Sequence, residues 1–77
     1  MPKIEVLCSQ HVEEKISSGE VHEELIANTL FTGERRLEQE PNKYLARKRF
    51  RKGTLAVVYK ELFERLWVIT AYWEEFR

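Results

Sequence analysis

Residues 53–73 read GTLAVVYKELFERLWVITAYW. Two runs rich in Val, Ile, Thr and aromatic residues, TLAVVYK and LWVITAYW, flank a more polar centre, KELFER. Such runs suit the half-buried, pleated surface of a sheet. The centre pulls the other way: Tyr59, Leu62, Phe63, Leu66 and Trp67 would line one face of a helix, and KELFER holds strong helix formers. No Asn-Gly or Asp-Gly marks a two-residue turn. A helix of about nine residues is marginal between two strong strands. A hairpin with a longer loop is therefore expected, its two strands central in a sheet.

The segment before this hairpin, KYLARKRFR (43–51), also alternates. Tyr44, Ala46, Lys48 and Phe50 share one face, and Leu45, Arg47, Arg49 and Arg51 share the other. Lys52-Gly53 turns the chain into the next strand. ERRLEQE (34–40) is a weaker strand candidate, stopped by the turn signal Pro41-Asn42.

The N-terminal half has helical spacing. Ile4, Leu7, Cys8, Val12 and Ile16 recur at intervals of mostly three and four, predicting a first helix over about 3–16, although the chain up to Val6 also suits an extended form. Ser17-Ser18-Gly19 breaks the pattern, and Ser18 is a candidate N-cap for the second helix. There Val21, Leu25, Leu30 and Ile26 point inward, and Glu20, Glu23 and Glu24 occupy the first turns, where the helix dipole favours negative charge. Thr32-Gly33 stops it, with Gly33 at C′. The order ααββββ predicts one α+β domain over 1–77, with two helices packed on a four-stranded antiparallel sheet.

Seventy-seven residues make one small domain, which buries only about 60% of its unfolded surface, so further burial against a second copy or a partner would be useful. An apolar content of 43% with 34% charged residues fits a folded soluble domain. No apolar run is long enough to span a bilayer, and Met1-Pro2-Lys3 leads straight into mixed polar sequence with no signal peptide, so a cytoplasmic protein without membrane contact is expected. Cys8 is the only cysteine, which excludes a disulfide framework and a cysteine metal site. Neither histidine has a metal-ligand spacing, and no glycine-rich phosphate loop is present, so no metal and no cofactor are expected. All thirteen acidic residues are Glu, with two Asn and two Gln, a composition seen in thermophile proteins.

The net charge of zero conceals a segregation. Residues 1–40 hold nine Glu against four Lys and Arg, whereas residues 41–65 hold eight Lys and Arg against two Glu. A basic centre beside an acidic N-terminal region suits an anion, or pairing between layers or subunits. Trp67, Trp73, Phe76 and Phe63 load the C-terminal hairpin with aromatic surface, either as core or as a partner surface. Together these features predict a homodimer.

Ile16-Ser17, Glu20-Val21 and Leu25, followed by YLARKRF, GTLAVVY and VITAYW, form an ordered set that resembles a family of small prokaryotic domains, domain of unknown function 4258, over roughly residues 16–73. That family is similar in predicted fold to the RelE/ParE toxins and the wider barnase–RelE group of metal-independent ribonucleases. The resemblance implies two N-terminal helices on a four-stranded antiparallel sheet and a ribonuclease ancestry. Family members place a His, and an Arg four residues later, on the first helix. Val6 and Gln10 stand at those places here, and His11 takes the His role only with a gap.

Metal-independent RNA cleavage needs a base near the 2′-hydroxyl, an acid near the leaving oxygen and cations around the phosphate. Arg47, Arg49 and Arg51, alternating on one strand face about 6–7 Å apart, supply a guanidinium row near the spacing of nucleic-acid phosphates, with Lys52 in the turn beyond. The same charges also suit an edge strand that resists association. Tyr72, sharing a face with Thr70 opposite Ile69, Ala71 and Trp73, is a candidate to stack a base or donate a proton. His11, one of two side chains that titrate near neutrality, is the candidate base. The candidate catalytic set is thus His11, Arg49 and Tyr72, and the candidate RNA contacts are Arg47, Arg49, Arg51 and Lys52. The alternative is a non-catalytic, degenerate toxin-like interaction module that acts as a homodimer or with a small protein partner.

Overall fold

A computed structural model describes residues 4–74. The elements in chain order are β1 (Glu5–Cys8), α1 (Gln10–Ser17), α2 (Glu23–Thr32), β2 (Glu34–Leu37), β3 (Lys43–Arg49), β4 (Thr54–Leu62) and β5 (Arg65–Glu74). Strands β2 to β5 form the expected antiparallel meander. The α+β class and the two helices agree with the sequence, but the sheet is five-stranded and mixed, in the order β1-β5-β4-β3-β2. The extra strand, β1, runs parallel to β5 with Glu5 opposite Arg65 and Cys8 opposite Val68. No described helix is long and apolar enough to cross a membrane.

The first helix therefore starts at Gln10 rather than near residue 3, and Ser9 accounts for the switch. Its hydroxyl accepts from the Val12 amide as an N-cap and donates to the Ile69 carbonyl at 2.9 Å, while its own amide donates to the Val68 carbonyl at 2.9 Å. One residue caps the helix and fastens it to β5. Ser18 closes α1 instead of opening α2, whose N-cap is His22, without a side-chain cap bond. Gly33 is required for a reason other than handedness, since its φ is −80°. A Cβ there would stand 2.6 Å from the Thr29 carbonyl oxygen and 2.7 Å from that of Arg47, so the end of α2 lies directly on the β3 backbone.

The β4–β5 connection is shorter than the sequence predicts. Leu62 pairs with Arg65, leaving Phe63 (φ 52°) and Glu64 (φ 60°) as a two-residue loop in the left-handed region. That geometry matches the twist of a hairpin but normally takes Asn and Gly. Nine paired positions between β4 and β5 hold a turn that its own residues disfavour. Strand β2 also ends early, at Leu37, and the remainder of ERRLEQE turns through Pro41-Asn42, with Asn42 at φ 63°.

Both helices cover one face of the sheet. Val12, Val21, Ile26 and Leu30 pack there on Ala46, Leu55, Val57, Tyr59, Leu66, Val68 and Ala71, with Val6, Cys8, Tyr44, Phe50 and Trp73 around them. The β4–β5 register shifts at Val58/Tyr59: Tyr59 faces Val68, Val58 faces Thr70, and Ile69 is the inserted residue. This bulge reverses the alternation of β5, so Val68 and Ala71 are both buried. Ile69 is consequently exposed, not grouped with Ala71 and Trp73 as simple alternation predicts. Phe76 lies outside the described residues.

Candidate nucleic-acid interface

Cross-strand partners project from the same side of a sheet, so the register identifies the face opposite the helices. One row reads Glu34, Arg47, Ala56, Tyr72 across β2, β3, β4 and β5. The next row toward β2's far end reads Arg36, Leu45, Val58, Thr70, and the row on the other side reads Arg49, Thr54, Glu74. A further row brings Lys43, Lys60, Trp67 and Leu7 into line. Arg47, Arg49 and Tyr72 thus share the uncovered face. The bulge adds Trp67 to it, since Trp67 and Tyr72 would project from opposite sides of an unbulged strand. Both are 42% exposed, which leaves part of each ring available for stacking.

The other sequence candidates lie elsewhere. Arg51 and Lys52 form the two-residue loop closed by mutual backbone hydrogen bonds between Phe50 and Gly53, at 2.7 and 3.2 Å. Arg51 is exposed there, beyond the end of the strand row. The Lys52 ammonium stands 5.2 Å from the centre of the Trp73 ring, on the helix side. His11 is exposed on α1, in the layer behind the sheet, so the structure does not bring it together with Arg49 and Tyr72. Tyr59 belongs to the core, stacked on Tyr44 at 5.6 Å. Burial raises its hydroxyl pKa, against the opposing hydrogen bond and charge of Arg35.

Carboxylates hold most of the cations on the uncovered face. The Arg47 guanidinium donates to Glu74, Arg65 lies 3.3 Å from Glu5, and Glu40 reaches Lys43 at 3.7 Å and Lys60 at 3.5 Å. Exposed pairs of this kind contribute about 0–1 kcal/mol each, so a phosphate can displace a carboxylate at small cost. Between these charges lie Leu7, Leu45, Val58, Trp67 and Tyr72, an apolar centre with a charged rim. Alternation within β3 was enough to anticipate the arginine pair, whereas Trp67 on this face follows only from the bulge. No family model, curated protein or solved structure matches the chain.

Proposed function

We propose that the protein binds single-stranded RNA across the uncovered sheet face. Tyr72 and Trp67 stack bases, and Arg47 and Arg49 hold phosphates. The observation that carries this reading is the row in which Arg47 and Tyr72 flank Ala56, a residue too small to separate a guanidinium from a ring. Aromatic platforms beside cations are the general means of holding single strands without sequence preference. The resemblance to the RelE-like ribonuclease group adds a reason for the ligand to be RNA. The reading is limited to contact, since His11, the candidate base, lies in the helix layer and not beside Arg49 and Tyr72.

Fluorescence anisotropy with a labelled oligouridine tests this reading. Binding is expected to weaken steeply as salt rises, and Tyr72→Ala is expected to cost about 1–3 kcal/mol, the value of one base stacked on an aromatic ring. Absence of binding at low salt, or binding indifferent to Tyr72→Ala, would overturn it. Incubation of RNA with the protein in EDTA, leaving the RNA intact, separates contact from metal-independent cleavage.

A separate observation favours a protein ligand. Trp67, Ile69 and Tyr72 are exposed near one another on β5, and Phe63 is 90% exposed at the hairpin tip. A homodimer, or a small protein partner, would bury them. Sedimentation with Trp67→Arg distinguishes the two: a dimer lost in the variant supports a protein interface, and a monomer at all concentrations removes the homodimer.

A further inference from the structure

Strand β2 forms one edge of the sheet, and all four of its residues are exposed. The Glu38 amide donates to the Lys43 carbonyl at 2.8 Å, continuing the ladder in which Leu37 faces Tyr44. Bonded and non-bonded pairs alternate along an antiparallel ladder, so Glu34 and Arg36 turn their main-chain groups to β3 as Glu38 does. Arg35 and Leu37 turn theirs outward, to a side with no described strand beside it. Such an edge is a template for a further strand.

The charges along that edge fit a second copy of the chain. Glu34 and Arg36 share the uncovered face, two residues apart, and among the described residues neither is ion-paired. Arg35, on the helix side, is drawn away from the edge. Its guanidinium lies 4.9 Å from the centre of the Tyr44 ring on β3 and 3.3 Å from the Glu61 carboxylate on β4. A second β2 lying antiparallel, with the twofold axis at Arg35, lets the two Arg35 residues exchange their outward amides and carbonyls. Glu34 of each copy then stands opposite Arg36 of the other, in non-hydrogen-bonded pairs, where side chains approach most closely. Leu37, 62% exposed, comes to lie opposite Gly33 of the second copy, which has no side chain to obstruct it. Moving the axis to Arg36 would set that residue against itself, like charge on like. Moving it to Leu37 would need residues 38 and 39, where β2 has ended.

We infer that the protein self-associates edge to edge through β2, joining two sheets into one continuous sheet. The interface is isologous, each copy giving and taking the same contacts. It depends neither on the RNA-binding reading nor on the exposed aromatic residues of β5, and it leaves both uncovered faces open. The row Tyr72, Ala56, Arg47, Glu34 continues into Arg36, Leu45, Val58 and Thr70 of the second copy, extending that face across the axis. A pair of four-residue strands is a small interface, so the dimer is weak, with a dissociation constant on the order of 0.1 mM.

Sedimentation equilibrium and amide hydrogen exchange test this inference, each over about 10 μM to 1 mM protein. The wild type is expected to dimerise in that range, with exchange at the Arg35 and Leu37 amides slowing as concentration rises. Arg36→Glu sets like charges opposite one another at both pairs and should weaken the dimer about tenfold or more. Glu34→Arg combined with Arg36→Glu restores opposite charges in the reverse order and should recover most of the association. Trp67→Arg should leave it intact, which separates this edge from an interface built on the β5 aromatics. A wild type that stays monomeric to about 1 mM overturns the inference. So does a dimer lost in Trp67→Arg, or one weakened by Arg36→Glu that the double variant does not recover. A wild-type dimer whose Arg35 and Leu37 amides exchange as fast as in the monomer overturns it too, and that measurement holds even if a variant fails to fold.

Discussion

Arg47 and Tyr72 stand two strands apart with Ala56 between them, yet the Arg47 guanidinium donates to Glu74, two residues further along β5. Arg47 thus has a carboxylate partner beside the ring proposed to stack a base. If the RNA phosphate takes that carboxylate's place, removing the carboxylate should help. Glu74→Gln is predicted to bind oligouridine about two- to fivefold tighter at low salt, since an exposed pair worth up to about 1 kcal/mol no longer competes. Anisotropy at two salt concentrations measures this. Unchanged or weaker binding would place the phosphate away from Arg47.

The hairpin tip offers a stability test. Phe63 and Glu64 both take left-handed conformations, which disfavour side-chain-bearing residues by about 1–2 kcal/mol each. Phe63 is 90% exposed, so little packing is lost when it is replaced. Phe63→Asn with Glu64→Gly should raise the unfolding free energy by about 1–2 kcal/mol in urea titrations. No gain would mean that the loop does not adopt the two-residue turn.

These two sites also mark the limits of the sequence. Alternation in KYLARKR correctly places Arg47 and Arg49 on one face, because the period of a strand is a local property. The relation of Arg47 to Tyr72 is not local: it depends on register and on a bulge at Ile69 that no Gly or Pro announces. The tight turn was hidden because KELFER carries helix propensity that nine cross-strand pairs override. Strand β1 was hidden because Ile4, Leu7 and Cys8 have helical spacing, while its true partner, β5, is some 60 residues away in the chain. Only the Ser9 cap pointed locally to a later helix start.

Gly33→Ala should be costly despite a φ that any residue can adopt. The added methyl meets two carbonyl oxygens at 2.6 and 2.7 Å, and backbone cannot move aside as a side-chain tip can. Overpacking of this kind predicts a loss of about 1–3 kcal/mol, read as a lower urea midpoint. A neutral result would show that α2 stands further from β3 than this contact requires.

The last prediction concerns alkaline pH. Burial raises the Tyr59 hydroxyl pKa above its ordinary 10.0, with Arg35 opposing, and burial followed by the Glu23 and Glu13 carboxylates raises the Cys8 thiol above 9.0. In each case the unfolded chain releases its proton at a lower pH than the folded protein does. Between the two values the folded state binds more protons, so rising pH draws the equilibrium toward unfolding. Stability from both groups is fully present below about pH 9, and is lost first as Cys8 titrates and then, above about pH 10, as Tyr59 does. Tyr59→Phe removes the second loss, because a phenyl ring keeps the stacking on Tyr44 and has no proton to release. Urea unfolding at about pH 7, 9 and 10.5 measures the effect. Tyr59→Phe should lose less stability than the wild type over the upper interval, and Cys8→Ala should lose less beginning near pH 9. Identical declines in the wild type and both variants would locate the alkaline sensitivity elsewhere and leave Tyr59 and Cys8 without a role in it.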